Sequence, residues 1–172
     1  MGYKEVSGVR ILGIDPGLAT MGWGVIESRG DRHRLVQYGA LTTAAGQPMP
    51  QRLRAIYIGV NQLMDTFAPD EVAFEELFFN KNVTTGMAVS AARGVALVAV
   101  VQRTEELYEY TPMQIKQAVT GQGKADKHQV QMMVKALLGM AEIARPDDAA
   151  DALAVAITHA HSRGARHMYK IQ

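Results

Sequence analysis

Short apolar runs separated by turn residues dominate the first half of the chain and predict β-strands. The run Ile11–Ile14 predicts a central strand that ends at Asp15, because Pro16 cannot donate to a strand ladder and Gly17 permits a turn. Four further apolar segments are also bounded by turn residues. They predict strands over 23–28, 34–42, 71–77 and 107–111.

The spacing of apolar residues changes to a helical period from Pro50 onward. Apolar residues at intervals of three and four then predict one amphipathic helix that ends before Pro69. Two short helices are predicted on either side of a basic loop over 120–128, and a last helix from near Asp148 to about His161. Strands and helices together predict an α/β fold with a single layer of sheet flanked by helices.

A further helix, predicted over 84–102, is apolar on nearly all sides and must be buried on more than one face. Arg93 interrupts it, and the uninterrupted run 94–101 is far shorter than the ~20 residues of a membrane span. We therefore expect a second copy of the chain to cover this helix in a two-fold dimer, with Ala92 near the axis. A central core helix in a monomer is the alternative.

Composition limits the possible classes of protein. A length of 172 residues with 48% hydrophobic content fits one compact domain, expected to span 1–172. The absence of cysteine excludes disulfides and thiolate metal sites, and the lack of an apolar stretch in residues 1–10 favours the cytoplasm. The net charge of +1 means that any nucleic-acid-binding surface must be local.

Four carboxylates stand in otherwise apolar or alanine-rich segments. Asp15 ends the first strand, Glu75 lies in the fourth, and Asp148 and Asp151 share one helix face at the spacing i, i+3. Taken singly, they also fit a turn aspartate, a solvated strand residue and a helix N-cap. Their coincidence predicts a divalent metal site, since uncompensated buried carboxylates are costly. Glycines around Asp15, at 13, 17, 22 and 24, are expected to admit a substrate backbone.

Basic and aromatic residues are candidates for contacts with nucleic acid. Lysines in and around the loop 120–128 can reach phosphates, although a solvated connector is the simpler interpretation of that loop. Phe78 and Phe79 precede Lys81, so that one ring can stack on exposed bases for ~1–3 kcal/mol per base. Both rings can equally belong to the core. His159 and His161 do not share a helix face, so neither is assigned as a ligand.

Six motifs occur in the order and spacing seen in RuvC-type Holliday-junction resolvases, which the chain resembles from about residue 9 to about 161. The motifs are Gly13-Ile-Asp-Pro-Gly17, Gly22-Trp-Gly-Val-Ile26, Ala73-Phe-Glu75, Ala92-Arg-Gly-Val-Ala96, Lys116-Gln117 and Asp148-Ala-Ala-Asp-Ala-Leu-Ala154. The resemblance implies a ribonuclease H-like fold with a mixed five-stranded sheet flanked by helices. It also implies a homodimer that uses Mg²⁺, or Mn²⁺ in its place, to nick two opposed strands of a four-way DNA junction.

The resemblance also implies roles for individual residues. Asp15, Glu75, Asp148 and Asp151 match the catalytic acids, which would hold two metal ions per subunit while water acts as the nucleophile. Lys116 and Lys127 match basic residues near the scissile phosphates, and Phe78 matches an aromatic that contacts junction bases. Lys81 and Lys124 complete the expected DNA-binding residues. The family further implies a branch-migration helicase complex as a partner.

Three points stay open from the sequence. The doubled Asp147-Asp148 leaves the third acid ambiguous by one residue, and Asp147 is the natural N-cap candidate. The first hairpin also resembles the phosphate-binding hairpin of actin-like ATPases, although those proteins need two such domains. A junction-binding architectural protein without nuclease activity is the other alternative.

Overall fold

The computed structural model describes residues 8–78 and 82–172 and confirms the predicted α/β arrangement. The strands and helices lie within one to three residues of the predicted bounds. In chain order the elements are β1 (Val9–Asp15), β2 (Thr20–Arg29), β3 (Arg32–Thr42), α1 (Met49–Phe67), β4 (Glu71–Glu75), α2 (Val83–Val101), β5 (Leu107–Tyr110), α3 (Pro112–Thr120), α4 (Lys127–Leu137), α5 (Asp147–His161) and a final 3-10 turn, Arg166–Tyr169.

The five strands form one mixed sheet in the order β3-β2-β1-β4-β5. β1, β2 and β3 form the predicted antiparallel meander. β4 and β5 add to the other edge of β1 in parallel, each through a helical connection. Parallel pairing of β1 with β4 brings the carboxyl ends of these two strands side by side.

Each face of the sheet is covered by its own helices. Leu12, Ile14 and Phe74 pack on the side of α1 and α2, whereas Ile11 and Ala73 pack on the side of α3, α4 and α5. Successive side chains of a strand alternate between faces, so a strand covered on both sides reads as an unbroken apolar run. This explains why Asp15 and Glu75 follow such runs.

The glycines near Asp15 make room for α5 rather than for a substrate. A Cβ at Gly13 would lie 2.1 Å from the carbonyl oxygen of Ala152, and one at Gly22 would lie 1.9 Å from that of Asp148. Only glycine permits so close an approach of helix backbone to sheet. The expectation that these glycines admit a substrate backbone is therefore wrong for Gly13 and Gly22.

α2 is apolar on two faces, but Ala92 is on the inner one. Ala92 and Ala96 are fully buried within the protomer. The opposite face exposes Val83, Met87 and Val98. In length and composition α2 also matches a membrane span, yet Arg93 within it pairs with Glu109 of β5, with Nε 2.9 Å from the carboxylate. A partner of α2 would contact the outer face, so the placement of Ala92 near a dimer axis is wrong.

Candidate metal centre and nucleic-acid face

Two of the predicted acids end adjacent parallel strands. Ile14 of β1 is paired with Phe74 of β4, so Asp15 and Glu75, one residue further on, are neighbours at the carboxyl edge of the sheet. The two carboxyls are close enough for each to shift the pKa of the other. The register of one strand pair is therefore enough to bring these two carboxyls together.

The other two acids come from the first turns of α5, which lies across the same edge. Burial and the nearby charges of Glu75, Asp151 and Asp148 raise the pKa of Asp15 far above its usual value. Burial and then Asp151 likewise raise the pKa of Glu75. All four predicted acids are thus brought together, and their mutual repulsion makes ionisation of the cluster costly.

Lys127, at the start of α4, is a cation in direct contact with this cluster. Its Nζ lies 3.1 Å from Oδ2 of Asp151 and 3.6 Å from Oδ2 of Asp147. Although burial disfavours the charged amine, the hydrogen bond to Asp151 and the charges of Asp151, Asp147 and Asp148 together outweigh burial and raise the pKa of Lys127. The charge of Lys116 also acts on Glu75, but two ammonium groups cannot balance four ionised carboxylates, which would keep an excess of negative charge.

The cluster fits divalent metal ions in its chemistry. Within residues 8–78 and 82–172, no three acidic or imidazole groups already stand in a ligating arrangement. Asp15 and Glu75 are turned toward each other, and Asp151 toward Lys127. Ligands that are all carboxylate oxygens are those preferred by Mg²⁺ and Mn²⁺, and a divalent cation would offset the repulsion that raises the pKa of Asp15.

Asp147 lies at the margin of this centre, where its charge raises the pKa of Asp151 but it has partners of its own. It is the first residue of α5, and Pro146 occupies the N-cap position without a side-chain cap, so the N-cap interpretation of Asp147 is wrong. Its carboxylate pairs with Arg145 and faces Lys127. Asp148, in contrast, adds to the repulsion on Asp15. The geometry therefore favours Asp148 over Asp147 as the third acid.

Open clefts lie on both sides of the acids. A cleft of about 300 Å³ contains Glu75 and Asp151 in its wall, together with Lys116 and Lys127. A second cleft, of about 520 Å³, begins at Asp148 on the other side. An extended polyanion lying across this edge would meet lysines beside the acids and phosphate-sized space on either side of them.

The remaining predicted DNA contacts differ in how well they are placed. Phe78, three residues beyond Glu75, is 59% exposed, which leaves its ring accessible for stacking. Lys124 is exposed but does not line the first cleft. The loop that carries it is fixed by hydrogen bonds, including one from Gly123 N to Gln117 Oε1 at 3.0 Å, rather than forming a flexible connector. Lys81 and Phe79 lie outside the described residues.

Some residues of the second cleft were not identified from the sequence. Arg52 of α1, and Thr84 with Thr85 of α2, line it opposite Asp148. The Nε of Arg52 donates to the hydroxyl of Thr43 at 2.8 Å, which orients the guanidinium. The sequence feature that could have identified this cleft is the pair of threonines that follows the N-cap Asn82, at the exposed beginning of an otherwise apolar helix.

Comparison with known proteins gives the family. The model of the family "Crossover junction endodeoxyribonuclease RuvC" matches residues 11–159. The chain is 59% identical over 152 residues to the RuvC of Rubrobacter xylanophilus, with 88% of this chain and 85% of that protein covered. It is 50% identical over 162 residues to the RuvC of Alkaliphilus metalliredigens, with 94% of this chain and 99% of that protein covered. The chain belongs to the RuvC family.

Among solved structures, the chain superposes on the Thermus thermophilus RuvC in complex with a Holliday junction substrate with a TM-score of 0.88. The two are 37% identical, and the match covers 94% of this chain and 98% of that one. This confirms the ribonuclease H-like fold. RuvC proteins are metal-dependent nucleases, which agrees with an all-carboxylate cluster at the edge of the sheet.

Proposed function

We propose that this chain is a Mg²⁺-dependent crossover junction endodeoxyribonuclease that resolves four-way DNA junctions by paired, symmetric nicks during homologous recombination and DNA repair. The observation that carries the proposal is the convergence of four carboxylates from β1, β4 and α5 at one open edge of the sheet. Residues 1–172 would act as one domain. The relatives named for this activity cover most of the chain.

The four acids are proposed as the metal ligands. Asp15, Glu75, Asp148 and Asp151 offer eight carboxylate oxygens, which suits two hard cations per subunit, with Mn²⁺ able to replace Mg²⁺. When bound, the cations supply Lewis-acid activation of water and neutralise negative charge that develops on the phosphate. Asp15 ends β1, a strand that is buried on both faces.

The lysines in the wall of the first cleft are proposed to hold the scissile phosphate. Lys116 and Lys127 approach the acids from the side that α3 and α4 provide. Lys127 already donates a hydrogen bond to Asp151. A small movement of its side chain would let the ammonium bind a phosphate oxygen in place of that carboxylate. Ammonium groups placed where charge develops stabilise the transition state.

Residues beside the acids are proposed to fix the junction. Phe78 would stack on an unpaired base at the branch point, which every base allows because each has a π-face. Lys81 and Lys124 would contact phosphates further along the strand and thereby fix orientation without reading sequence. In a cell, the chain would act in the cytoplasm, where a branch-migration helicase complex is the proposed partner.

A homodimer is proposed to place two such sites on one junction. The outer face of α2 exposes Val83, Met87, Val98 and Val101, which recur at helical spacing along one stripe. An isologous interface there would relate two active sites by a two-fold axis, as the two cut strands of a junction are related. Val98→Glu, which leaves the protomer core intact, should yield monomers that cannot make paired cuts.

That interface has a direct test. Sedimentation of the wild type should show dimers at micromolar concentration, and Val98→Glu should show monomers with an unchanged circular dichroism spectrum. Ile58→Glu, on the exposed side of α1, is the matched control and should remain dimeric. A monomeric wild type would contradict the proposed assembly.

The nuclease proposal is tested by incubating a labelled four-way junction with the protein and Mg²⁺, beside a linear duplex of the same sequence. The expected result is a pair of symmetric nicks in the junction, none in the duplex, and none with EDTA. Tight junction binding without nicking in Mg²⁺ or Mn²⁺ would instead identify an architectural protein. Stabilisation by ATP, without junction binding, would favour an actin-like phosphate site.

A further inference from the structure

A buried polar cluster lies at the end of α5 that is remote from the acids. His159 is 1% exposed, and both of its ring nitrogens have partners. Nε2 lies 2.7 Å from Oε2 of Glu71, and Nδ1 lies 2.8 Å from the hydroxyl of Tyr110. Both partners belong to the sheet, one to β4 and one to β5. The cluster has no part in the proposed chemistry.

The position of this cluster relates it to the metal centre. Glu71 and Glu75 are the two ends of β4, four residues apart, or ~13 Å at the rise of a strand. Asp151 and His159 are eight residues apart on α5, or ~12 Å at the rise of a helix. The same strand and helix therefore meet twice, through Glu75 and Asp151 at one end and through Glu71 and His159 at the other.

The two ends differ in what they contribute to the placement of α5. Contacts between the alanines of α5 and the glycines of β1 and β2 set how close the helix lies to the sheet. Apolar contacts are non-directional, whereas a hydrogen bond tolerates little change in length and angle. The acid end is repulsive in the absence of metal, so the bonds of His159 supply the directional contacts between this helix and β4 and β5 that oppose a slide of α5 along its axis.

The cluster is also satisfied in a way that resists rearrangement. The Glu71 carboxylate accepts from His159 and pairs with Arg166 of the C-terminal turn. Neutral His159 can donate from Nε2 to Glu71 and accept at Nδ1 from Tyr110, which leaves no unpaired polar atom among these three side chains. A slide of α5 along the sheet would break both bonds in a buried setting, where an unpaired polar group is costly.

We propose that His159 is a positioning residue for the nuclease. Held by Glu71 and Tyr110, it fixes α5 along β4 and β5 so that Asp148 and Asp151 stand opposite Asp15 and Glu75 at the spacing that divalent cations require. It contacts neither metal nor DNA and acts through the helix that carries two of the acids. The inference rests on the proposed metal site.

The test measures metal binding rather than turnover alone. Mn²⁺ binding to the full chain without DNA is measured by calorimetry for His159→Phe, which removes both bonds, and for Tyr110→Phe, which removes one hydroxyl and keeps the ring. We expect His159→Phe to weaken Mn²⁺ binding by about 3- to 10-fold, below the ~10–100-fold typical of direct hydrogen-bond partners of ligands. Tyr110→Phe should shift it by a smaller factor in the same direction.

The metal dependence of nicking gives a second readout. The Mg²⁺ concentration that half-saturates junction nicking should rise in both variants, and excess Mg²⁺ should restore most of the rate. Thr158→Val is the matched control, because Thr158 is equally buried on α5 but its hydroxyl bonds only to Ala154 O within the helix, at 2.8 Å. It should keep wild-type metal affinity even if it melts earlier.

The outcomes separate this inference from the proposed function. Wild-type Mn²⁺ affinity in folded Tyr110→Phe and His159→Phe, with affinity lost in Asp151→Asn, would overturn the positioning role alone. Wild-type affinity in Asp151→Asn as well would overturn the metal site and the inference with it. If His159→Phe does not fold, Tyr110→Phe decides by the same criterion.

Discussion

The two ends of β4 carry the same kind of side chain in opposite electrostatic settings. At the carboxyl end, burial and the neighbouring Asp151 raise the pKa of Glu75. At the amino end, burial opposes ionisation of Glu71, but the hydrogen bond from His159 and the charge of Arg166 outweigh it and lower the pKa of Glu71. The charge of Glu71 at the amino end is balanced by groups of the protein itself, whereas the acids at the carboxyl end need an added cation for balance.

This contrast separates structural carboxylates from functional ones better than burial does. Both glutamates are partly or fully removed from solvent, and both are held by the same strand. What distinguishes them is whether the surrounding charges add up to neutrality. Clusters in which they do not are favoured candidates for metal and substrate sites.

The largest expected effect comes from removing an acid at the carboxyl end of β4, where the carboxylates lack balancing cations. Asp151→Asn should reduce junction nicking by orders of magnitude, because a metal ligand is lost. Junction binding should be retained or become tighter, since one repulsive charge beside the DNA backbone is removed. Nicking and gel-shift assays on the same folded preparation measure the two effects. Loss of junction affinity would contradict the assignment.

The second prediction concerns which residue of the doubled aspartate, Asp147 or Asp148, belongs to the acid cluster. Asp148→Asn should be nearly inactive, whereas Asp147→Asn should keep most of its nicking in saturating Mg²⁺. The reason is that Asp147 faces Arg145 and Lys127 outside the cluster, whereas Asp148 acts on Asp15. Turnover per folded dimer as a function of Mg²⁺ concentration measures both. The reverse ranking would transfer the third ligand to Asp147.

Neutralising a carboxyl group should change the free energy of unfolding in opposite directions at the two ends of β4. In EDTA at neutral pH, Glu71→Gln should lower the free energy of unfolding by about 1.5–3 kcal/mol, the usual value for a hydrogen bond to a charged group. Asp15→Asn should raise it, because on folding the wild type must either bury this charge among other acids or hold a proton far above the usual pKa of an aspartate, and the neutral amide needs neither. Urea unfolding of both variants gives the comparison. A destabilised Asp15→Asn would indicate that the acids are already balanced.

The smallest effect is the stabilisation of the wild type by metal. Mg²⁺ at 10 times its dissociation constant should add about 1.4 kcal/mol per bound ion to the free energy of unfolding, since it binds the folded state alone. Asp15→Asn should show no such gain. Thermal melts with Mg²⁺ and with EDTA measure it, and Ca²⁺ serves as a second hard cation. Equal gains in both proteins would place the bound ions elsewhere.

The sequence was sufficient for the elements whose cause is local. The unbroken apolar runs before Asp15 and Glu75, the three-and-four spacing in α1 and the prolines at 50, 69 and 112 set element bounds that the structure confirms. The grouping of the four acids also follows from local signals, because two of them end strands and the other two lie in the first two turns of a helix. Strand ends and helix starts meet at one edge in this type of sheet.

Long-range packing accounts for what the sequence could not provide. The role of Gly13 and Gly22 depends on where α5 lies, and the burial of Ala92 depends on which face of α2 meets the sheet. His159 was not assigned as a ligand because it does not share a helix face with His161. Its partners are 49 and 88 residues away and become visible only once β4, β5 and α5 are adjacent.

The most direct test of the account is one nicking experiment on a labelled four-way junction with the wild type and Asp15→Asn, each as folded protein, across a Mg²⁺ titration. The account predicts symmetric paired nicks by the wild type that appear with Mg²⁺ and vanish with EDTA, and no nicks by Asp15→Asn at any concentration while the junction stays bound. Nicking by Asp15→Asn at the wild-type rate, or nicking by the wild type in EDTA, would contradict it.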